Sequence, residues 1–150
     1  MNVLVTGAFG NVGTYAVDAL LVRGATVRSL DVPSALSRRK ARRYTGRVEM
    51  LWGDIRDKAL VARAVQGVDA IIHLAFIIPP KSEENPAWAE TINVGGTWNL
   101  LQAALATQAR PRIVFSSSIA LYGRTQHLPP PRRVDEMLHP YEDYAYHKMT

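Results

Sequence analysis

Residues 1–13 read Met1-Asn-Val-Leu-Val-Thr-Gly-Ala-Phe-Gly-Asn-Val-Gly13. Val3, Leu4 and Val5 form a short apolar run with the character of a buried strand. Gly7, Gly10 and Gly13 follow in the spacing G-x-x-G-x-x-G, and an amphipathic stretch runs from Asn11 to Arg23. A strand, a glycine turn and a helix start together make a pocket for a pyrophosphate. The glycines let the backbone turn tightly and approach phosphates with no Cβ in the way. The new helix offers unpaired N–H groups and the positive end of its dipole. A glycine triplet alone is weak evidence, and the strand before it and the helix after it supply the context it needs. The plain alternative is an ordinary glycine-rich turn.

The chain has 150 residues, 47% of them hydrophobic, enough for one core and one domain over residues 1–150. It contains no apolar run of membrane-spanning length, so no membrane partner is expected. Met1 leads straight into the first strand without a basic n-region, so no signal peptide is expected and the chain reads as cytoplasmic. Cysteine is absent, which excludes disulfides and thiolate chemistry. No metal site is expected. The net charge is +5, much of it in Arg38-Arg39-Lys40-Ala41-Arg42-Arg43. That run can be read as a nucleic-acid patch, a solvated helix face or help for a nearby adenosine phosphate. No nucleic-acid motif accompanies it, so the solvated face is preferred and no nucleic-acid partner is expected.

Apolar runs recur at Val3–Val5, Thr26–Leu30, Val48–Leu51, Ala70–Leu74 and Ile113–Ser116. They are continuous rather than alternating, as parallel strands covered on both faces require. Helical patterns lie between them. One ends at Gly24, and one is capped by Asp57 and stops at Gly67. A long one runs from Pro86 to about Thr107, and Pro111 marks the turn into the fifth strand. Alternating β and α elements imply an α/β fold, a Rossmann-type doubly wound parallel sheet of strand order 3-2-1-4-5. A ligand would sit at the switch between strands 1 and 4. Gln126–Asp143, rich in proline and charge, reads as a loop. Asp31 ends the second strand. A carboxylate there can accept hydrogen bonds from an adenosine ribose and would repel a 2′-phosphate, favouring NAD over NADP. It can also be a turn aspartate before Pro33, and the arginines from Arg38 onward keep NADP open.

Thr6-Gly-x-x-Gly-x-x-Gly13 resembles the nucleotide-binding turn of the extended short-chain dehydrogenase/reductases, the NAD-dependent epimerase/dehydratase family. Further segments resemble that family in order along the chain. Gly53-Asp54-Ile55-Arg56-Asp57 is similar to its adenine segment, which implies Asp54 at the adenine amino group and Ile55 packed on the ring. His73-Leu74-Ala75 is similar to its H-L-A motif, with His73 itself read as structural. Asn93-Val94-Gly95-Gly96-Thr97 matches N-V-x-G-T. Two glycines inside a helix cost about 1 kcal/mol each against alanine, which suggests close packing on another backbone. Asn93 would tie that helix to the strand beside it. Ser116-Ser117-Ser118-Ile119-Ala120-Leu121-Tyr122-Gly123 looks like S-S-x-x-x-Y-G, placing Ser118 at the catalytic serine position.

Tyr144-Ala145-Tyr146-His147-Lys148 supplies Y-x-x-x-K, two side chains on one helix face. An ordinary phenol, with a pKa of about 10, is a poor base at neutral pH. An adjacent ammonium favours the phenolate. The resemblance implies that Tyr144 exchanges a proton with a substrate hydroxyl or carbonyl. It also implies that Lys148 tunes Tyr144 and holds the nicotinamide ribose, and that Ser118 binds the substrate oxygen. The implied cofactor site comprises Gly7, Phe9, Gly10, Asn11, Val12, Gly13, Asp31, Asp54, Ile55, Leu74, Ala75, Phe76, Asn93, Ser116, Tyr144 and Lys148.

The expected activity is hydride and proton transfer at a secondary alcohol or ketone of a small molecule such as a nucleotide sugar. One alternative is a reductase of a less polar carbonyl, since Phe76 replaces a small residue and Ile78 stands where UDP-galactose epimerases have lysine. Another is a truncated or non-catalytic dinucleotide-binding protein. Family members are longer, so these residues are expected to be a fragment, with a frayed dyad helix and an exposed edge at the fifth strand. The resemblance also implies a homodimer through the Asn93–Thr107 helix and the helix starting at Tyr144.

Overall fold

The computed structural model describes residues 1–125 and 127–150. Five strands form one parallel sheet: β1 (Asn2–Thr6), β2 (Thr26–Asp31), β3 (Val48–Trp52), β4 (Ala70–His73) and β5 (Arg112–Phe115). Their order is β3-β2-β1-β4-β5, with Val3 registered on Val27 and on Ala70. The strands differ from the expected runs only at their ends.

Alternating side chains on β1 divide the core. Val3 and Val5 join Phe9, Val17, Val27 and Tyr44 on one face, where α1 (Asn11–Val22) packs. Leu4 joins Leu30, Leu60, Val61, Ile71 and Leu100 on the other, beneath α3 (Lys58–Ala64) and α6 (Thr97–Leu105). Both faces of β1 are therefore dry, which is why its sequence reads as a continuous apolar run. Helix α2 (Ala35–Ala41) carries Arg38, Arg39 and Lys40 of the basic run, and a 3-10 turn after it carries Arg42 and Arg43. The N-terminus of α2 is closed by reciprocal bonds between Ser34 and Ser37.

The long helix expected from Pro86 is not uniform. Two short helices, α4 (Lys81–Glu84) and α5 (Pro86–Glu90), lead into one widened π turn, Thr91–Gly96, before α6. The Thr97 hydroxyl donates to the Asn93 carbonyl, taking over an acceptor in the widened turn. After β5, a 3-10 turn (Ile119–Tyr122) precedes the proline-rich stretch. Gln126, the first residue of the expected loop, lies outside the described residues. Asp143 opens α7 (Asp143–Met149) rather than closing that loop.

The expectation of a frayed dyad helix meets a packed one. Ala145 and Lys148 are buried, the Tyr144 N–H donates to the Glu83 carboxylate, and Asn93 Nδ2 lies 3.2 Å from His147 Nδ1. Edge strand β5 leaves Val114 53% exposed. No helix among the described residues is long and apolar enough to cross a membrane.

Candidate nucleotide and dyad site

Two positions of the turn after β1 have no room for a side chain. Gly7 has φ +66°, and a Cβ there would lie 2.8 Å from the Ala75 nitrogen. A Cβ on Gly13 would lie 2.2 Å from the Gly7 carbonyl oxygen. Gly7 and Gly13 are thus fixed by close backbone approach. No side chain caps the start of α1, so no cap claims its first N–H groups.

Gly7, Gly10, Asp31, Asp54, Ile55, Leu74, Ala75 and Phe76 line one cleft of about 370 Å³ at the carboxyl ends of β1 and β4. Asp31 Oδ2 accepts from the Phe9 N–H at 2.7 Å, and Oδ1 from the Val32 N–H at 2.8 Å. Burial pushes its carboxyl above the usual range, against the pull of those N–H groups and of Lys40. Phe9 turns its ring into the core against Trp52 and Tyr44, so what it offers the turn is backbone. Val12 is exposed, and Asn11 accepts from Lys40. Asp54 is held by the Arg56 guanidinium, with a shortest contact of 2.7 Å, and that partner keeps its carboxyl below the usual range. The walls fit a dinucleotide: a cap-free helix start at bare glycine backbone, a carboxylate at the end of β2, and buried Ile55 beside Asp54.

His73 lies under the same backbone, fully buried. Its Nδ1 is 2.6 Å from Thr6 Oγ1, and its Nε2 is 2.9 Å from Thr97 Oγ1. Thr6 Oγ1 accepts from the Leu74 and Ala75 N–H groups, and Thr97 donates to Asn93. The hydroxyl bookkeeping is met by a neutral imidazole with its proton on Nε2. Burial, then the charge of Lys148, push its pKa down to about 4. Thr6 and Thr97, quoted within two of the motifs but given no role there, are the partners that make His73 structural.

Asn93 pairs with the loop after β4, accepting from the Ile77 N–H at 2.6 Å and donating to its carbonyl at 2.9 Å. The expected close approach of backbone at the two glycines is corrected here. A Cβ on Gly96 would meet the Ile55 side chain at 2.3 Å, while Gly95 faces open space.

Ser118 Oγ accepts from the Ala120 N–H, which leaves its own proton free to donate. Lys148 is 8% exposed, and its Nζ donates to the Ser116 carbonyl at 2.7 Å. Burial lowers its pKa to about 8. Nζ lies 3.6 Å from the centre of the Phe76 ring and 4.3 Å from that of Phe115. Phe76 also meets Tyr144 edge-on, with ring centres 5.8 Å apart. Lys148, Asn93 and His73 line a second cavity of about 520 Å³ beside β5 and α6. The partnership of Phe115 with Lys148 had no signal in the sequence.

Residues 3–150 match the NAD dependent epimerase/dehydratase family. The chain is 41% identical over 123 residues to a 3 beta-hydroxysteroid dehydrogenase/Delta 5-->4-isomerase of Mycobacterium tuberculosis, covering 78% of this chain and 31% of that one. It is 34% identical over 152 residues to a UDP-glucose 4-epimerase of Lactobacillus helveticus, covering 99% and 44%. Among solved structures it resembles a UDP-glucose-4-epimerase from Stenotrophomonas maltophila with bound NAD and formylated UDP-arabinopyranose. That likeness has a TM-score of 0.85 at 30% identity and covers 99% of this chain and 46% of that one. The chain thus spans less than half the length of each.

Proposed function

The chain belongs to the NAD dependent epimerase/dehydratase family, and on that premise we propose that residues 1–150 form its nucleotide-binding domain and act in hydride and proton transfer at a secondary alcohol or ketone. One observation carries this reading. The ring of Phe76 lines the cleft with Gly7, Asp31 and Asp54, and the same ring touches both Tyr144 and Lys148. The Phe76 ring thereby links the cleft at the glycine turn to the dyad, with Lys148 on the neighbouring cavity.

In this reading NAD, when bound, supplies the hydride acceptor. The Gly7–Gly13 turn and the start of α1 hold the pyrophosphate, Asp31 the adenosine ribose and Asp54 the adenine. Tyr144 exchanges a proton between its phenol oxygen and the substrate oxygen. Ser118 donates a hydrogen bond to that oxygen, and Lys148 supplies positive charge beside the phenol. NAD is preferred to NADP because a 2′-phosphate would face the Asp31 carboxylate.

A nucleotide sugar is the first substrate class, supported by the epimerase relatives. A less polar carbonyl compound is the second, supported by the apolar loop Phe76-Ile77-Ile78-Pro79-Pro80 and by the steroid dehydrogenase relative. Turnover of a substrate panel separates the two classes, and a net change in NADH separates a dehydrogenase or reductase from an epimerase or dehydratase. NAD binding with no turnover would leave a non-catalytic dinucleotide binder. A homodimer through α6 and α7 belongs to the same reading, supported by exposed Trp98, Leu105 and Tyr146. Sedimentation showing monomer alone overturns it. A cytoplasmic location goes with the reading, and cell fractionation checks it.

The deciding experiment is calorimetric titration with NAD⁺ and NADP⁺. Saturable binding with NAD⁺ preferred is the expected result. Asp31→Ala should weaken NAD⁺ by about 10-fold or more, the scale of hydrogen bonds to a charged group, and narrow the preference. Binding of neither nucleotide overturns the proposal.

A further inference from the structure

Lys148 is an ammonium without a counter-ion. No carboxylate among the described residues lies within salt-bridge distance of it, and only burial shifts its pKa. Two of its contacts go to Ser116, to the carbonyl oxygen at 2.7 Å and to Oγ at 3.3 Å. The remaining electrostatic compensation is aromatic. Nζ sits within cation–π range of two rings, Phe76 at 3.6 Å and Phe115 at 4.3 Å, which meet edge to face with centres 6.1 Å apart. The rings come from the loop after β4 and from the end of β5, so the ammonium is gripped between neighbouring strand ends.

We infer that Phe76 is a positioning residue: with Phe115 it clamps the Lys148 ammonium against the Ser116 carbonyl, shields it from water and keeps it charged beside Tyr144. A ring supplies a negative face where a carboxylate would bind the ammonium and compete with a ribose or phenol for it. A small side chain after Ala75 would admit water, and a branched aliphatic one would desolvate the charge without compensating it. The titratable groups around the ammonium are His73 from β4, held neutral, His147 from α7, which lines the same cavity, and Tyr144, which meets the Phe76 ring edge-on. The clamp is made by residues of this chain alone, and its bearing on catalysis rests on the function proposed for Tyr144 and Lys148.

The test is the titration of Lys148 by NMR of isotope-labelled lysine in the full chain, assigned with Lys148→Met. In the wild type the group should titrate near pH 8. Phe76→Leu keeps apolar bulk but removes the quadrupole, and should lower that pKa by about 0.5–1 unit. Phe76→Trp should restore it or raise it above the wild type. Phe115→Leu should shift it in the same direction as Phe76→Leu, and carries the test if the Phe76 variant does not fold. Wild-type titration in both leucine variants overturns the inference, since packing alone would then hold the lysine. Calorimetry with NAD⁺ on the same samples is read separately. Loss of nucleotide binding in the wild type removes the proposed function, while a leucine-dependent shift still establishes the clamp.

Discussion

His73 and Lys148 are buried neighbours whose titrations act on stability in separate pH windows. The folded-state pKa of His73 lies near 4, below its ordinary 6.5. The unfolded chain therefore binds the proton first, so this contribution is intact above pH 6.5 and is lost as pH falls toward 4. The linked change is about 3 kcal/mol. Urea unfolding across that range should show a shallower pH slope in His73→Phe than in the wild type, and equal slopes would remove His73 from the account. Lys148, lowered to about 8 from 10.5, has the same sign at higher pH. Its buried charge costs stability throughout neutral pH, and the cost is relieved as pH rises from 8 to 10.5. Lys148→Met should therefore stabilise the chain at pH 7 by about 1–3 kcal/mol. A variant no more stable than the wild type would mean that the rings and Ser116 fully offset desolvation.

At the scale of elements, the π turn between α5 and α6 holds two adjacent glycines with different surroundings. Gly95 faces open space, so Gly95→Ala should gain about 0.5–1 kcal/mol from helix propensity. Gly96→Ala should instead cost about 1–3 kcal/mol, because the new Cβ would enter Ile55 Cγ2. Ile55→Leu, which moves the branch away from Cβ, should recover part of that loss, and thermal unfolding of the wild type, the two single variants and the double variant reads the coupling. Strictly additive effects would rule out the contact. These glycines also mark the limit of what the sequence discloses. The strand, turn and helix of residues 2–22 were legible because periodicity and glycine spacing are local signals. So was the strand order, since alternating β and α elements call for a parallel sheet and the glycine turn after the first strand points to the dinucleotide-binding order. The widened turn was not, because it depends on Thr97 reaching back to Asn93 while bonded to His73. Nor was Arg56 on Asp54, a choice of rotamer. Phe76, Phe115 and Lys148 meet only once the sheet is assembled, so no sequence window contains them.

Across the whole molecule, protection should follow strand position. β1 lies between β2 and β4 with both faces dry, and β5 is a half-exposed edge. Amide exchange should be slowest in β1 and fastest among the strands in β5. Equal protection of the two would mean that the sheet opens only as a unit. The central place of β1 also has a consequence in time. The Asn2 N–H binds the carboxylate of Asp69, a residue 67 positions later, and β1 pairs with β4 just beyond it. During synthesis at roughly 5–20 residues per second, the first strand would wait roughly 3–13 s for that partner to be made. In that interval β1 can pair with β2 alone, leaving an apolar edge open to other chains. Newborn copies should therefore be most prone to aggregate before β4 emerges from the ribosome, and a slow pause there would lengthen the vulnerable period.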